Sequence, residues 1–415
     1  MSRNVLTPEA LARALALRDL TDPAQGRHAM QDLLRGLTAA LAGQWRCPVM
    51  VERRSPVVSI ADNYDRLHYP PDGVAREARY TRYVDRDSVL RTQTSALVPP
   101  LLRRLSAAPP PDVLLVCPGL VYRRDVIDRL HTGEPHQVDL WRIRLGPPLG
   151  EGDLVEMIAT VAAAAAPGRT VRVTPAAHPY TLDGRQIDAA EEPASAGPAG
   201  GGRAGASGGT GGARDEQKRG ERPPGKNAGW VEIGECGLAL PELLRECGLP
   251  RGASGLAMGL GLDRLVMLRK GLEDIRLLRA TDPRIAGQML DLGPYRPVSH
   301  QPPIRRDLSV AVAGTATPEE LGDRVRTALS ERAGEVEAVE VLGETPADAL
   351  PGPAAARLGI RGGQKNVLVR VVLRSPERTL TDDEANQLRD AVYAALHEGS
   401  VHQWATGAPP AGWSA

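Results

Sequence analysis

Apolar residues recur at helical spacing near the start of the chain. In HAMQDLLRGLTAALAGQW, Met30, Leu33, Leu34, Leu37 and Leu41 form one stripe, the signature of an amphipathic helix. Upstream, LTPEALARALALRDL places Pro8 and Glu9 in a first turn behind Thr7, a good N-cap, so residues 1–45 read as helical. The valine-rich runs CPVMVER and SPVVSI predict short strands, and 63–100 mixes turn signals with charge. DVLLVCPGLVYRRDV (112–126) predicts a strand interrupted at Pro-Gly. The polar loop IDRLHTGEP (127–135) follows, and HQVDLWRIRL (136–145) alternates as the antiparallel return strand. DLVEMIATVAAAAA (153–166) predicts a helix and RTVRVTP (169–175) a strand.

The pattern then breaks. Residues 190–228 hold almost no large apolar side chain and cannot bury enough surface to offset ordering entropy, so a disordered insertion is expected there. Order resumes at WVEIGECGLALPELL (230–244). LAMGLGLDRLVMLRKGL (256–272) reads either as a strand turning into a helix or as a buried helix with a glycine-rich entry. From 293 the run is strand (RDLSVAV), helix (PEELGDRVRTALSERA), strand (VEAVEVLG), strand (NVLVRVVLRS), helix (DDEANQLRDAVYAALHEG) and a short end strand (SVHQWA). That is the split β-α-β order of a ferredoxin-like domain. The expected division is therefore 1–290 and 291–415, in an α+β chain.

Composition narrows the function. A chain of 415 residues, 42% hydrophobic, supports two or three domains. Lys+Arg and Asp+Glu both number 51, so any basic surface for nucleic acid is local. No run of 18 apolar residues exists, which argues against a transmembrane helix. The N-terminus does not read as a secretory signal. Cys47, Cys117, Cys236 and Cys247 lie far apart without a CxxC pair and read as buried thiols of a cytoplasmic protein. Phenylalanine is absent, where a chain of this length would ordinarily carry on the order of a dozen or more.

Three blocks carry candidate chemistry. Tyr122-Arg123-Arg124-Asp125 ends a strand, and His136-Gln137-Val138-Asp139 opens the next. An arginine beside a loop suits a phosphate, and Gln137 and Asp139 share a strand face that offers acceptors to an ammonium. The same residues also fit a charged hairpin with solvated arginines. In GLGLDRL, Gly259 and Gly261 permit close backbone approach and Arg264 enters a helix start, where it could meet phosphates or merely face solvent. In QPPIRRDLSVAV, Arg305 and Arg306 could contact a nucleic-acid backbone or simply open a strand.

The ordered set VYRRD…HTGEPHQVD, WVEIGECGLALPELL, GLAMGLGLDRLVMLRKGLEDIR and YRPVSHQPPIRRDLSVAV resembles phenylalanyl-tRNA synthetases. The likeness is to a class II catalytic α-type core fused to a ferredoxin-like anticodon-binding domain, over about residues 20–185 and 229–405. It implies an antiparallel class II sheet with flanking helices, and a ligase using ATP and Mg²⁺ on an aromatic amino acid and tRNA, most directly tRNA-Phe, as a monomer or homodimer. By resemblance Arg123 holds the α-phosphate and the amino-acid carboxylate, and Arg264 packs on ATP. Asp125, Pro135, Glu232 and Gly261 fall at nucleotide positions. Gln93, Ser95, Gln137, Asp139, His178, Tyr180, Ala257 and Gly259 fall at amino-acid positions. Arg124, Arg129, Arg305 and Arg306 would meet tRNA. No metal ligand set is assigned.

The departures have a direction. Where the family has Phe-Pro-Phe, this chain has His178-Pro179-Tyr180; where a family phenylalanine stacks on adenine, it has Pro135; Gln93 stands for a histidine. A polar edge in an aryl pocket must be paired, which favours a substrate with a ring hydroxyl or amine, or reflects repacking. Two rival readings follow: an adenylate-forming paralogue serving a biosynthetic pathway, and a non-catalytic tRNA-binding protein. The loss of every phenylalanine fits either compositional drift or a protein whose synthesis must continue when phenylalanyl-tRNA is scarce. The second idea fails if expression collapses under phenylalanine starvation as steeply as that of a phenylalanine-containing control.

Overall fold

The computed structural model describes residues 5–77, 80–191, 229–298 and 302–410. Its strands are β1 (Val49–Val51), β2 (Val57–Ser59), β3 (Ser88–Leu90), β4 (Asp112–Leu120), β5 (His136–Leu145), β6 (Val171–Pro175), β7 (Thr181–Ala190), β8 (Trp230–Ala239), β9 (Ala253–Gly261), β10 (Ile304–Ala313), β11 (Val336–Pro346) and β12 (Gln364–Leu373). Seven form one sheet in the order β1-β4-β5-β9-β8-β7-β6. Only the β1–β4 pairing is parallel, so the sheet is mixed and mostly antiparallel.

The two faces of this sheet follow from strand alternation. On one, Val116, Val138, Leu140, Met258 and Leu260 are buried beneath the helices Ala29–Trp45, Glu151–Ala165 and Leu262–Lys270. The helical stripe Met30, Leu33, Leu34, Leu37 and Leu41 packs there as its spacing predicts. On the other, Leu115, Cys117, Trp141 and Ala257 pack with Leu101, Leu102, Leu243 and Leu244 from the helices Val98–Leu105 and Pro241–Glu246. Thr7 caps the first helix, Pro8–Ala16, by accepting the Ala10 N–H at 3.2 Å.

The strand interrupted at Pro-Gly instead continues through Leu120. Gly119 absorbs the irregularity at φ 148°, and a Cβ there would collide with the guanidinium of the buried Arg91, so only glycine suits the position. Between the two readings of 256–272, the strand-to-helix one holds: β9 passes directly into the helix Leu262–Lys270. Of the expected insertion 190–228, Ala190 instead pairs with Trp230 between β7 and β8; 192–228 lies outside the described residues. All four cysteines are buried and unpaired. No helix among the described residues is long and apolar enough to cross a membrane.

The three remaining long strands form an antiparallel sheet, β10-β12-β11, with a core shared by the helices Pro318–Leu329 and Asp382–Leu396. The expected end strand does not form. The segment after Leu396 is pinned to the helix instead: the buried Asp390 carboxylate accepts the N–H groups of Ala405 and Thr406 at 2.8 and 2.9 Å and the Thr406 hydroxyl at 2.7 Å. A backbone held by a side chain cannot also join the sheet's hydrogen-bond ladder.

Candidate active site

The polar end of the large sheet is assembled strand by strand. Gln137, Asp139 and Trp141 share a face of β5. Directly across on β9 stand Gly261, Gly259 and Ala257, and across from Gly259 on β8 stands Glu235. A Cβ on Gly259 would find only Asp139 Oδ2 at 4.0 Å, and one on Gly261 only the Ile233 carbonyl at 4.0 Å. The two glycines therefore leave open floor between charged walls, where a ligand can lie against backbone.

Asp139 is buried (2% exposed). It accepts from Thr94 Oγ1 at 2.7 Å, Ser95 Oγ at 2.9 Å and Trp141 Nε1 at 3.0 Å. Burial pushes its carboxyl above the usual aspartate range, with those donors acting against the shift. A carboxylate has about four acceptor sites, so these donors leave capacity for one more, as an ammonium would need.

An aromatic wall stands beside Asp139. Tyr180 stacks on Trp141 (centroids 5.9 Å, 22°) and tilts toward Tyr69 at 6.3 Å. Burial pushes the Tyr180 phenol well above its ordinary value and Tyr69 up to about 12. Gln93 braces the wall: its Oε1 accepts from Tyr69 Oη at 2.8 Å and its Nε2 donates to the Asn63 carbonyl at 3.0 Å. The His178 ring, 9% exposed, lies 2.6 Å from the Glu235 carboxylate. Among the described residues Nε2 has this close contact but makes no well-formed hydrogen bond.

Arg264, on the helix after β9, lies 4.0 Å from the Glu232 carboxylate, and Arg123, in the loop after β4, is near enough for its charge to act on the same carboxylate. Burial raises the Glu232 pKa; Arg264 and then Arg123 act to lower it, while Glu235 adds to the rise. Arg123 Nε donates to the Thr92 carbonyl at 2.8 Å. Arg264 donates to the Glu232 carbonyl at 3.1 Å and to His131 Nε2 at 2.9 Å. Because arginine only donates, His131 accepts through Nε2 and donates through Nδ1 to Asp128, 2.8 Å away. Neighbouring Asp263 anchors the same corner: it accepts the His136 N–H and faces His136 Nδ1 at 3.0 Å. Pro135, just before, accepts the Val121 N–H at 2.9 Å through its carbonyl.

Other expected site residues lie elsewhere. Arg124 pairs with Asp323 at 3.2 Å, on the helix Pro318–Leu329. The carbonyl of Asp125 accepts from Arg326 of that helix, and its carboxylate accepts its neighbour Val126 N–H at 2.9 Å. Both are thus turned toward the second sheet's helix layer. Arg129 is half exposed, 3.3 Å from Glu191. Arg305 and Arg306 do not act as a pair: Arg305 is exposed on the open face of β10, whereas Arg306 turns under it to Asn386 and Asp382 at 3.2 and 3.1 Å. Strand alternation separates them.

Sequence reasoning missed Tyr69, Thr94, His131, Trp141 and Glu235. Trp141 follows Asp139 by two on an alternating strand, and Thr94 adjoins Ser95, so both were within reach of pattern. Tyr69 sits in a segment with no periodic signal, and nothing local marks Glu235 as the neighbour of His178.

Comparison with known proteins bears on the large sheet. A model of the tRNA synthetases class II core domain (F) matches residues 45–289. The phenylalanine–tRNA ligase alpha subunit of Acetivibrio thermocellus is 32% identical over 228 residues, covering 54% of this chain and 59% of that protein. The alpha subunit of Streptomyces avermitilis is 31% identical over 226 residues, covering 52% and 56%. The chain therefore spans somewhat over half the length of these relatives. A solved pyrrolysyl tRNA synthetase of Desulfitobacterium hafniense aligns at a TM-score of 0.40 and 16% identity, over 61% of this chain and 73% of that one.

Proposed function

The chain belongs to the class II tRNA synthetase core family, and from that premise we propose that it activates an aromatic amino acid with ATP and transfers it to tRNA. Residues 1–290 would form the catalytic domain and 291–415 a ferredoxin-like anticodon-binding domain. The observation that carries the reading is Arg264 held against Glu232, 3.1 Å from its carbonyl and 4.0 Å from its carboxylate, with Arg123 acting on the same charge, beside the open floor of Gly259 and Gly261.

Each residue has a role in this reading. Asp139, with Gln137 and Ser95, takes the substrate ammonium through the remaining acceptor site. Ala257 and Gly259 keep the floor clear for the side chain, and Gly261 keeps it clear for the nucleotide. A carboxylate oxygen of the amino acid forms a bond to the α-phosphorus of ATP as the bond to pyrophosphate breaks. Arg123 and Arg264 spread the charge that develops on the phosphates, and positioning lowers the barrier without a protein nucleophile.

Among the described residues no three His, Cys, Asp or Glu side chains cluster as a metal cage. Mg²⁺ favours one or two carboxylates plus substrate phosphates; Glu232, 44% exposed, would be the carboxylate that holds it, and the ion would neutralise phosphate charge. In the second step a terminal ribose hydroxyl of tRNA attacks the aminoacyl carbonyl and AMP leaves. The loop 126–135, with the half-exposed Arg129, would meet the acceptor end, and Arg305 on the open face of β10 would contact the anticodon stem.

Amino-acid-dependent ATP–pyrophosphate exchange over a panel of aromatic amino acids tests the proposal. Exchange followed by tRNA charging is expected. Exchange without charging of any tRNA would favour a paralogue that loads another acceptor, the reading to which the polar His178 and Tyr180 wall gives specific support. No exchange with any member would end the ligase reading.

A further inference from the structure

Glu235 and Asp139 stand on the same face of the sheet with only Gly259 between them. Two inter-strand spacings put their backbones about 10 Å apart, and the glycine leaves the gap empty. The result is a slot with a carboxylate at each end. Asp139 has its own donors and one acceptor site to spare. Glu235 is 43% exposed, and the His178 ring, 9% exposed, lies 2.6 Å from it without a well-formed hydrogen bond among the described residues. Among the described residues the Tyr180 hydroxyl has only Ser95 Oγ, at 3.5 Å, for a hydrogen bond, and that serine already donates to Asp139.

Closing an unsubstituted phenyl ring over this end would strip water from the Glu235 carboxylate, whose near neighbour is the His178 ring at 2.6 Å, and from the Tyr180 phenol, and would add a hydrogen-bond partner to neither. Such unsatisfied groups are costly. A ring donor reverses the balance by hydrogen-bonding Glu235 and completing the polar wall. We propose that the amino acid taken by this site carries a hydroxyl or amino group on its aromatic ring, and that Glu235, with His178, reads that group while Asp139 holds the α-ammonium. This rests on the aminoacyl-activating reading above for the meaning of the site, but not for its test.

The test uses the full chain and two readouts, calorimetric binding of the free amino acid and ATP–pyrophosphate exchange. The panel is phenylalanine, 3- and 4-hydroxyphenylalanine, and 3- and 4-aminophenylalanine. At least one substituted member is expected to bind and react with roughly a hundredfold or greater preference over phenylalanine, because a site built to pair a polar group rejects the analogue lacking it. Glu235→Ala should lower that preference at least tenfold with melting temperature unchanged, and Glu235→Gln should restore part of it for the hydroxylated member. His178→Phe should move preference toward phenylalanine. Phenylalanine bound as tightly as every substituted member, selectivity untouched by Glu235→Ala, or no binding by any member would each overturn the inference. Selective binding without exchange would sink the ligase reading and leave this inference standing; exchange that prefers phenylalanine would do the reverse.

Discussion

Arg123 and Arg264 are far apart in the chain, yet both act on the charge of the Glu232 carboxylate, Arg264 from 4.0 Å, whereas Arg305 and Arg306 are adjacent and part to opposite faces of β10. The first pair meets because β5 pairs with β9, bringing the hairpin that follows β4 against the helix that follows β9. The second pair separates because successive side chains of a strand alternate. Nearness in sequence is thus a poor guide to shared work on a strand. A cluster of basic letters promises a joint phosphate site only when the backbone turns both side chains the same way.

This contrast can be broken most directly at the convergent pair. Arg264→Ala or Arg123→Ala is expected to reduce kcat for pyrophosphate exchange by roughly a hundred- to a thousandfold, the scale of losing one preorganised charge-stabilising donor. Exchange within twofold of the parent would separate these guanidinium groups from the chemistry. Next comes the floor they overlook. Gly259→Ala should cost about a hundredfold in kcat/KM, since displacing a substrate by about 1 Å has that effect, while the melting temperature moves little because the added Cβ would find only Asp139 Oδ2, at 4.0 Å.

A pH titration sharpens the comparison further. The Asp139 carboxyl is raised by burial, so its protonated form suits the fold. Its contribution to stability is fully present below about pH 4, the ordinary aspartate value, and is lost as pH rises through the raised value. Binding an ammonium needs the ionised form and has the opposite sense: the KM for the amino acid should rise as pH falls through that same window. Asp139→Asn should flatten this profile; an unchanged profile would assign it to another group.

The smallest effects belong to the divergent pair. Arg305→Ala should reduce the salt dependence of tRNA binding by about one unit of slope and leave stability unchanged. Arg306→Ala should cost under about 1 kcal/mol of stability through its exposed pairing with Asp382 and leave tRNA affinity unchanged. Equal effects of the two on tRNA would show that both side chains reach the same ligand.

Much of this arrangement is visible in local pattern. The alternation of β5 predicts that Gln137 and Asp139 share a face, and helical spacing predicts the buried stripe of Ala29–Trp45. The failures also have physical causes. The end strand was lost where Asp390, on the preceding helix, takes the N–H of its last residue, Ala405, and of Thr406 just beyond it. Arg124 looked available because nothing in its own segment announces Asp323. His178 was singled out without Glu235, since their approach depends on where the segment before β7 lies over β8.

Residue order alone was enough for most of the strands and helices, the polar tract that interrupts them, and the kinds of chemistry on offer, because periodicity, capping and composition act over a few neighbouring residues. Which charges would meet, which would be neutralised by a partner, and where empty floor would remain depended on strand register across the sheet. That register is a collective outcome of burying one apolar face and pairing every backbone group, and no short stretch of the chain contains it.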